Sequence, residues 1–355
     1  MDVPVQPATL EAFLTRSWIR RGIVACLLWP LSLLFRTLAW LRRGLYAAGW
    51  LRSTRLAVPV IVVGNIFLGG TGKTPLTIWL VEALRQAGFV PGVISRGYGV
   101  HSAVPRAVHI DANAQQVGDE PLLIARRAQC PVLVGRNRVA AAQALLAAYP
   151  DVNVIVSDDG LQHYAMQRDI EIVLFDARGV GNGWLLPAGP LREPASRRRD
   201  FTVVNAAHSP SDVLGTGSHD VIQMELVGVI AERLGDRSQR LALTSGLLVP
   251  DTGHAASRIV AAAGIGNPPR FFAMLRAAGL TIDEMPLADH YDFADNPFAG
   301  VLADIILITE KDAVKCSQIA TLKNDPRLWV VPVTARIDGA LAEQIVEKLR
   351  GHTTA

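Results

Sequence analysis

Residues 58–86 constrain the fold more than any other stretch of this chain. Residues 58–63 read VPVIVV, a short β-branched apolar run of the kind buried on both faces of a parallel sheet. Gly64-Asn65-Ile66-Phe67-Leu68-Gly69-Gly70-Thr71-Gly72-Lys73-Thr74 follows, and residues 76–86 carry helical periodicity. Strand, glycine-rich loop, Gly-Lys-Thr and helix together make a phosphate cradle. Glycines let successive backbone N–H groups face an anion, and the helix N-terminus adds its positive dipole end. In that reading Gly69, Gly70, Thr71 and Gly72 supply amides, Lys73 reaches the β- and γ-phosphates of a nucleotide, and Thr74 ligates Mg²⁺. The generic GxxxxGK[ST] spacing asks for glycine at position 67, where this chain has Phe67. Pro75 suits the first helical turn, where no N–H is missed.

A second buried-strand run, residues 154–157, ends in Asp158-Asp159-Gly160-Leu161-Gln162-His163. An apolar strand ending in acid places a carboxylate across from the phosphate loop, where it can hold Mg²⁺ or its water shell. Two adjacent acids at a strand end cannot both point at one ion, so one is expected to hold metal and the other a neighbouring loop. Residues 170–175 and 201–205 read as further buried strands alternating with helices, which predicts an α/β, mostly parallel sheet with crossover helices. Asn205 is followed by Ala206-Ala207, so the guanine-reading NKxD is absent there and ATP is favoured over GTP. Polar loops at 95–99, 118–121, 135–138 and 186–193 are placed to line the crevice beyond the strand C-termini.

Composition adds exclusions. With 50% apolar, 19% charged and 6% aromatic residues over 355 positions, the chain is globular and of about two domains; disorder, collagen and coiled coil are excluded. A net charge of +3 gives no argument for a nucleic-acid partner. Cys26, Cys130 and Cys316 are far apart and lack CxxC spacing, which suits reduced thiols, with neither a zinc site nor a disulfide framework.

The N-terminus is different in kind. Residues 1–55 hold eight arginines against Asp2 and Glu11, and between them runs IVACLLWPLSLLF at 23–35. That run falls short of the roughly 20 residues needed to span a bilayer, and no small-residue cleavage site follows it. Pro30 is expected to kink or break a single helix there. The Trp, Tyr and Arg content of residues 36–55 favours one or two helices lying in a membrane interface over a helix buried in the protein's own core.

The series VGNIFLGGTGKTP, SRGYG, VGDEP, GRNR, DDGLQH, LPAGPLRE, ADHYDF and ITEKDAVK resembles the tetraacyldisaccharide 4′-kinases of lipid A biosynthesis, from the apolar N-terminal stretch to about residue 335. GGTGKTP alone is shared with many phosphate-loop proteins; GDEP, DDGLQH and GPLRE in series are much more specific. The resemblance implies transfer of the ATP γ-phosphoryl group to the 4′-hydroxyl of a tetraacylated glucosamine disaccharide 1-phosphate, with Mg²⁺. It places the enzyme at the cytoplasmic face of the bacterial inner membrane as a peripheral or monotopic protein, its partners a lipid-linked substrate and anionic lipids. It further implies Asp119 of GDEP and His290 of the DH motif as a base pair. Thr74, Asp158, Asp159 and Glu193 would surround the metal, with Arg136 and Arg192 as phosphate clamps and Gln162 and His163 as further substrate contacts. Tyr291 stands where the family commonly carries a second histidine. A sugar hydroxyl is a poor nucleophile, so a positioned group must accept its proton as the bond to phosphorus forms. Two readings stay open beside this one: a soluble small-molecule kinase, and a membrane-associated nucleotide switch.

The predicted organisation is a membrane-associating segment at 1–55, a phosphate-loop kinase domain at 56–210, a smaller α/β domain at 211–345 joined by extended linker strands, and a tail at 346–355. Residues 221–230 read as one extended strand, and Gly264-Ile265-Gly266 as a tight turn before a helix. Glu310-Lys311-Asp312 reads as a helix-start charge cluster or as part of the substrate cleft, the former preferred. With Asp119 and His290 in different units, hinge closure is expected to gate catalysis.

Overall fold

The computed structural model describes residues 14–15, 17–97, 104–206, 221–244 and 258–352. Tyr98 and Gly99 of the SRGYG loop and the turn-rich stretch 207–220 lie outside these residues.

Two sheets organise the chain. The larger has nine strands in the order β15-β8-β7-β6-β1-β5-β2-β4-β3. In chain order these are β1 (Val60–Gly64), β2 (Pro91–Ser95), β3 (Arg106–Ala107), β4 (Val132–Val134), β5 (Val154–Asp158), β6 (Ile170–Asp176), β7 (Phe201–Asn205), β8 (Val221–Val227) and β15 (Thr334–Ile337). All neighbours are parallel except the two edge pairs, β3 with β4 and β15 with β8. The smaller sheet has six strands in the order β10-β9-β14-β13-β11-β12. They are β9 (Ile230–Arg233), β10 (Arg240–Ala242), β11 (Ile259–Ala263), β12 (Asp283–Pro286), β13 (Ile305–Thr309) and β14 (Leu328–Val331).

The apolar runs become central strands because both of their faces are covered. One face of the larger sheet, with Ile61, Val63, Val154 and Val156, packs on Leu76 and Leu84 of α2 (Lys73–Gln86) and Leu122 of α4 (Asp119–Ala128). The other face, with Val60, Val62 and Ile155, packs on Ala141 and Leu145 of α5 (Arg138–Ala148). A short α3 (Ala114–Val117) precedes α4. The smaller sheet is likewise covered on both sides, by Phe271, Phe272 and Leu275 of α6 (Pro268–Ala277) and by Ala313 and Cys316 of α7 (Glu310–Cys316). The short α8 (Ala320–Lys323) follows, and α9 (Gly339–His352) closes the described chain with Leu341, Ile345 and Leu349 in the core of the larger sheet.

The sheets divide the chain differently from the expected boundaries. β8 and β15, both inside 211–345, belong to the larger sheet, so the smaller sheet is an insertion between two of its strands. Residues 221–230 are not one strand: β8 ends at Val227, and β9 begins at Ile230 in the other sheet. The lesson is local. Gly228 breaks the run, and burial against different partners decides which sheet each half joins.

The apolar N-terminal stretch is a single helix, α1 (Ile23–Ala47), which runs through Pro30 without breaking. Contacts on both sides of the proline anchor the two halves to the rest of the protein. Ala25 and Ser32 are buried, Ser32 Oγ donates to the Leu185 carbonyl at 2.8 Å, and Trp29 packs on Trp184. Apart from that seam, Ile23, Leu27, Leu31, Leu34, Leu38 and Trp40 are exposed. At 25 residues α1 is long and apolar enough to cross a membrane, by length and composition only.

Candidate active site

The loop between β1 and α2 is wired by side chains that satisfy its carbonyls. Asn65 Nδ2 donates to the carbonyls of Phe67 (2.7 Å) and Gly69 (3.1 Å), and Asn205 Nδ2 donates to that of Thr71 (2.9 Å). With the carbonyls turned into the protein, the amides are free to face a ligand. Gly72 caps α2 at φ 99°, and a Cβ there would lie 2.5 Å from Asn205 Nδ2. Only glycine fits that position. Lys73 Nζ donates to Asn65 Oδ1 at 3.2 Å and lies 3.8 Å from Asp159. Thr74 follows it in the first turn of α2.

The two adjacent aspartates diverge. Asp158 is the last residue of β5 and is buried; its Oδ2 accepts from Ser95 Oγ at 3.1 Å, while Oδ1 is buried with no hydrogen-bond partner. Burial pushes its carboxyl up to about 6, Glu120 and Asp159 adding to the shift while Lys73 and Arg138 oppose it. Asp159 adopts φ 49°, which swings its side chain away to Arg192 Nη1 at 3.2 Å and toward Lys73. Burial opposes ionisation there too, but Lys73 and Arg192 outweigh it and hold the carboxyl below its ordinary value.

Glu193 is buried in a polar network. It accepts from Gln162 Nε2 (2.8 Å) and Tyr164 OH (2.9 Å) and pairs closely with Arg197. Burial, Arg138 and Arg168 push His163 down to about 4, so it is neutral at physiological pH. Arg192 bridges the network to the phosphate loop, since its guanidinium also donates to Asn65 Oδ1. Arg136 is exposed at the end of β4, whereas Arg138 is buried, donating to the Asp159 carbonyl at 3.2 Å. Among the described residues no three His, Cys, Asp or Glu side chains form a ready-made metal cluster.

On the other wall, Asp119 and His290 meet. Asp119 opens α4, buried; its Oδ1 accepts from the Glu120 amide at 2.9 Å, and its Oδ2 lies 2.9 Å from both His290 Nδ1 and Lys315 Nζ. Burial pushes this carboxyl up, but the His290 hydrogen bond and the Lys311 and Lys315 charges win and hold it well below the usual carboxylate range. His290 sits at φ 60°, a left-handed conformation costing a non-glycine residue on the order of 1 kcal/mol. Backbone contacts to Gly264 O and Asp289 Oδ1 hold it there. Its Nε2 lies 3.3 Å from Lys311 Nζ, which also pairs with Glu120 and Asp289, each at 3.2 Å.

The structure therefore gathers Lys73, Thr74, Asp158, Asp159, Arg192 and Gln162 on one wall and brings Asp119 and His290 together on the facing one. Two smaller expectations gain detail. Glu310-Lys311-Asp312 begins a helix, and Lys311 also reaches the His290 cluster, so both readings of that cluster hold. Gly264-Ile265-Gly266 is more than a turn, for it packs on the phosphate loop: a Cβ at Gly266 would lie 2.7 Å from the Gly70 amide nitrogen. Sequence reasoning also passed over Lys315, and it placed Arg138 only as part of the polar loop at 135–138. The spacing of Lys311 and Lys315, four residues apart on one helix face, was an available signal for the first.

The model of the tetraacyldisaccharide-1-P 4′-kinase family matches residues 24–350. Two relatives named tetraacyldisaccharide 4′-kinase are each 66% identical. That of Janthinobacterium sp. (strain Marseille) aligns over 351 residues, 99% of either chain, and that of Herminiimonas arsenicoxydans over the whole of both. Among solved structures, the Aquifex aeolicus LpxK described as an "apo" form in complex with ATP superposes with a TM-score of 0.74 at 26% identity, covering 92% of this chain and 100% of that one. The chain belongs to the tetraacyldisaccharide-1-P 4′-kinase family.

Proposed function

We propose that this protein transfers the γ-phosphoryl group of ATP to the 4′-hydroxyl of a tetraacylated glucosamine disaccharide 1-phosphate, a lipid A precursor. The carrying observation is the pairing of Asp119 with His290, next to an Asp289 whose carboxylate shares Gly266 as a neighbour with Gly70 of the phosphate loop. In our reading the amides of Gly69–Gly72 and Lys73 hold the triphosphate, and Arg192 adds a cation to the same wall. Arg136, Gln162 and His163 remain assigned to the acceptor side. The site lies between the domain built on the larger sheet and the inserted smaller one; Asp119 and His290 already meet across that interface, and hinge motion admits substrate and encloses it around this pair.

Asp119 and His290 act as one unit in proton acceptance. An ionised carboxylate against Nδ1 selects the tautomer with its proton on Nδ1 and leaves the Nε2 lone pair as acceptor. Lys311 Nζ now donates toward that lone pair, and the sugar hydroxyl takes its place when the acceptor binds. Asp119 is too weak a base to retain the proton near neutral pH, so the proton rests on the imidazole.

The residues fit a divalent cation. Asp158 carries a buried carboxylate oxygen without a partner and Thr74 stands at the helix start. Asp159, by contrast, is turned to Arg192 and Lys73, and both oxygens of Glu193 are taken by Gln162, Tyr164 and Arg197, so of the expected set Asp158 and Thr74 are the residues that would hold the ion. Held by Asp158 and Thr74, a Mg²⁺ ion would supply positive charge to the phosphates of the nucleotide. Without it the cost of Asp158 is measurable. A carboxyl raised above its unfolded value loses stability as pH rises from about 4 to about 6. Asp158→Asn therefore melts higher than the parent in Mg²⁺-free buffer at pH 7.5, and the gap narrows toward pH 4. Differential scanning calorimetry across pH checks this.

Helix α1 lies in the cytoplasmic leaflet interface of the bacterial inner membrane, its leucines in lipid and the arginines of residues 16–55 at anionic headgroups. The triple variant Leu27→Gln, Leu34→Gln, Leu38→Gln alters exposed residues on one helix face, so the fold persists while recovery with anionic vesicles drops. Sedimentation with those vesicles checks this, and unchanged pelleting overturns the interfacial reading. The function itself is tested by transfer of labelled γ-phosphate from ATP to purified tetraacyldisaccharide 1-phosphate in detergent micelles. Labelling that needs no glycolipid acceptor overturns it.

A further inference from the structure

A second cavity lies apart from the catalytic cleft, where the chain crosses between the two sheets. The chain passes from β8 to β9 through residues 228–229 and returns from β14 to β15 through residues 332–333. Val229 and Pro332 of these crossings wall a cavity of about 680 Å³, together with Leu123 of α4 and Val314 of α7. Small-molecule sites commonly occupy roughly 300–1,000 Å³ and join apolar walls to a few convergent polar groups. Lys73, Thr74, Asp119, Asp158 and His290 do not line this one.

Its polar wall is out of balance. Arg126, Arg127, Arg237 and Lys323 face it, against two carboxylates, Glu232 and Glu310. Both acids are already engaged. Glu310 accepts from Arg127 at 2.7 Å and from the Val333 amide at 3.3 Å. Glu232 pairs with Arg237 at 3.1 Å and with Arg240 at 3.4 Å. Arg126 donates to neutral acceptors, the Ile110 carbonyl at 2.8 Å and Ser317 Oγ at 3.5 Å. Among the described residues neither Arg126 nor Lys323 forms an ion pair. Burial weakens the hold of Arg126 on its proton, and the Arg237 charge adds to that while Asp111 opposes it. Burial lowers Arg237 as well; Arg127 adds to the shift, and Glu310 and Glu232 oppose it. A concave wall carrying an excess of one charge concentrates ions of the other sign, and guanidinium groups match phosphate oxygens in shape.

We propose that this cavity binds a phosphomonoester with an apolar body. The dianionic head lies among Arg126, Arg127 and Arg237, and the body lies against Leu123, Val229 and Val314. Inorganic phosphate satisfies only the first half of that fit. Arg126 and Arg127 stand on α4 of the larger-sheet domain, while Arg237 and Lys323 belong to the inserted one. An occupant therefore ties the two domains together beside both crossings and damps their relative movement. The site stands independently of the phosphoryl-transfer reading.

The test is calorimetric titration of the full chain in detergent micelles with phenyl phosphate, under saturating Mg²⁺–ADP so that the phosphate loop is already filled. Phenyl phosphate is expected to bind once per chain, and inorganic phosphate at least about tenfold more weakly. The double variant Arg126→Gln, Arg237→Gln loses at least about tenfold in affinity. Val229→Glu, at an exposed position where the fold tolerates it, sets a carboxylate at the mouth and weakens binding in the same way. Bound phenyl phosphate also slows amide exchange in residues 227–230 and 331–334 of the parent and leaves that of the double variant unchanged. Competition by dioctanoyl phosphatidate and by AMP then assigns the natural head group to a lipid or to a soluble metabolite, according to which displaces phenyl phosphate at the lower concentration. Absence of phenyl phosphate binding to the parent at concentrations up to about 10 mM overturns the proposal. So does equal affinity in the parent and both variants. Loss of phosphate transfer from ATP bears on the kinase reading alone.

Discussion

Lys73→Ala lowers kcat on the order of 10³-fold, about 4 kcal/mol of transition-state stabilisation, with a smaller change in the KM for ATP. The size follows from preorganisation. Lys73 is held by Asn65 Oδ1 and lies near Asp159, so the ammonium waits at the head of the loop and needs no rearrangement as charge shifts toward the leaving oxygens. Removing it also leaves Asp158 and Asp159 without one of the cations that oppose their mutual repulsion. Steady-state kinetics on glycolipid micelles, beside a melting curve, separates the two effects. A kcat close to the parent's would move the phosphate site elsewhere.

Asp119→Asn lowers kcat by about 10²–10⁴-fold while ATP binding stays nearly intact. The amide keeps the shape but accepts less strongly from Nδ1, so the imidazole loses the partner that fixes its tautomer. His290→Ala is expected to cost about as much, and the double variant little more than either, because the two residues form one unit. Stability carries a second signature. A carboxyl depressed below its unfolded value stabilises the fold above about pH 4, and that contribution fades as pH falls further. Asp119→Asn therefore melts lower than the parent at pH 7, and the difference shrinks in acid. A large rise in the ATP KM would reassign Asp119 to the metal.

What could be read from sequence was whatever depends on neighbours along the chain. The phosphate loop, the acid after β5 and the paired-face burial of β1, β5, β6 and β7 each follow from a few consecutive residues, and the structure has all of them. The failures share one cause, contacts between distant segments. Pro30 should interrupt a helix, yet α1 continues through it, with Trp29 on Trp184 and Ser32 on Leu185 flanking the proline. Gly266 looked like turn chemistry because its reason for being glycine is Gly70, nearly two hundred positions earlier. Arg136 and Arg138 are indistinguishable in GRNR, but α5 begins between them and only Arg138 turns inward. Lys315 gave no sign of Asp119 because the two meet only across the domain interface.

The insertion of the smaller sheet between β8 and β15 has a consequence for how the chain assembles. Val227 and Thr334 are paired neighbours separated by more than a hundred positions, so that ladder cannot zip until the intervening chain has folded and brought its ends side by side. The outermost strand and the terminal helix behind it thus join last during biogenesis. Amide protons of β15 should exchange with solvent sooner than those of β1, and a released chain truncated after Val333 should already possess the smaller sheet while the larger one still has an open flank.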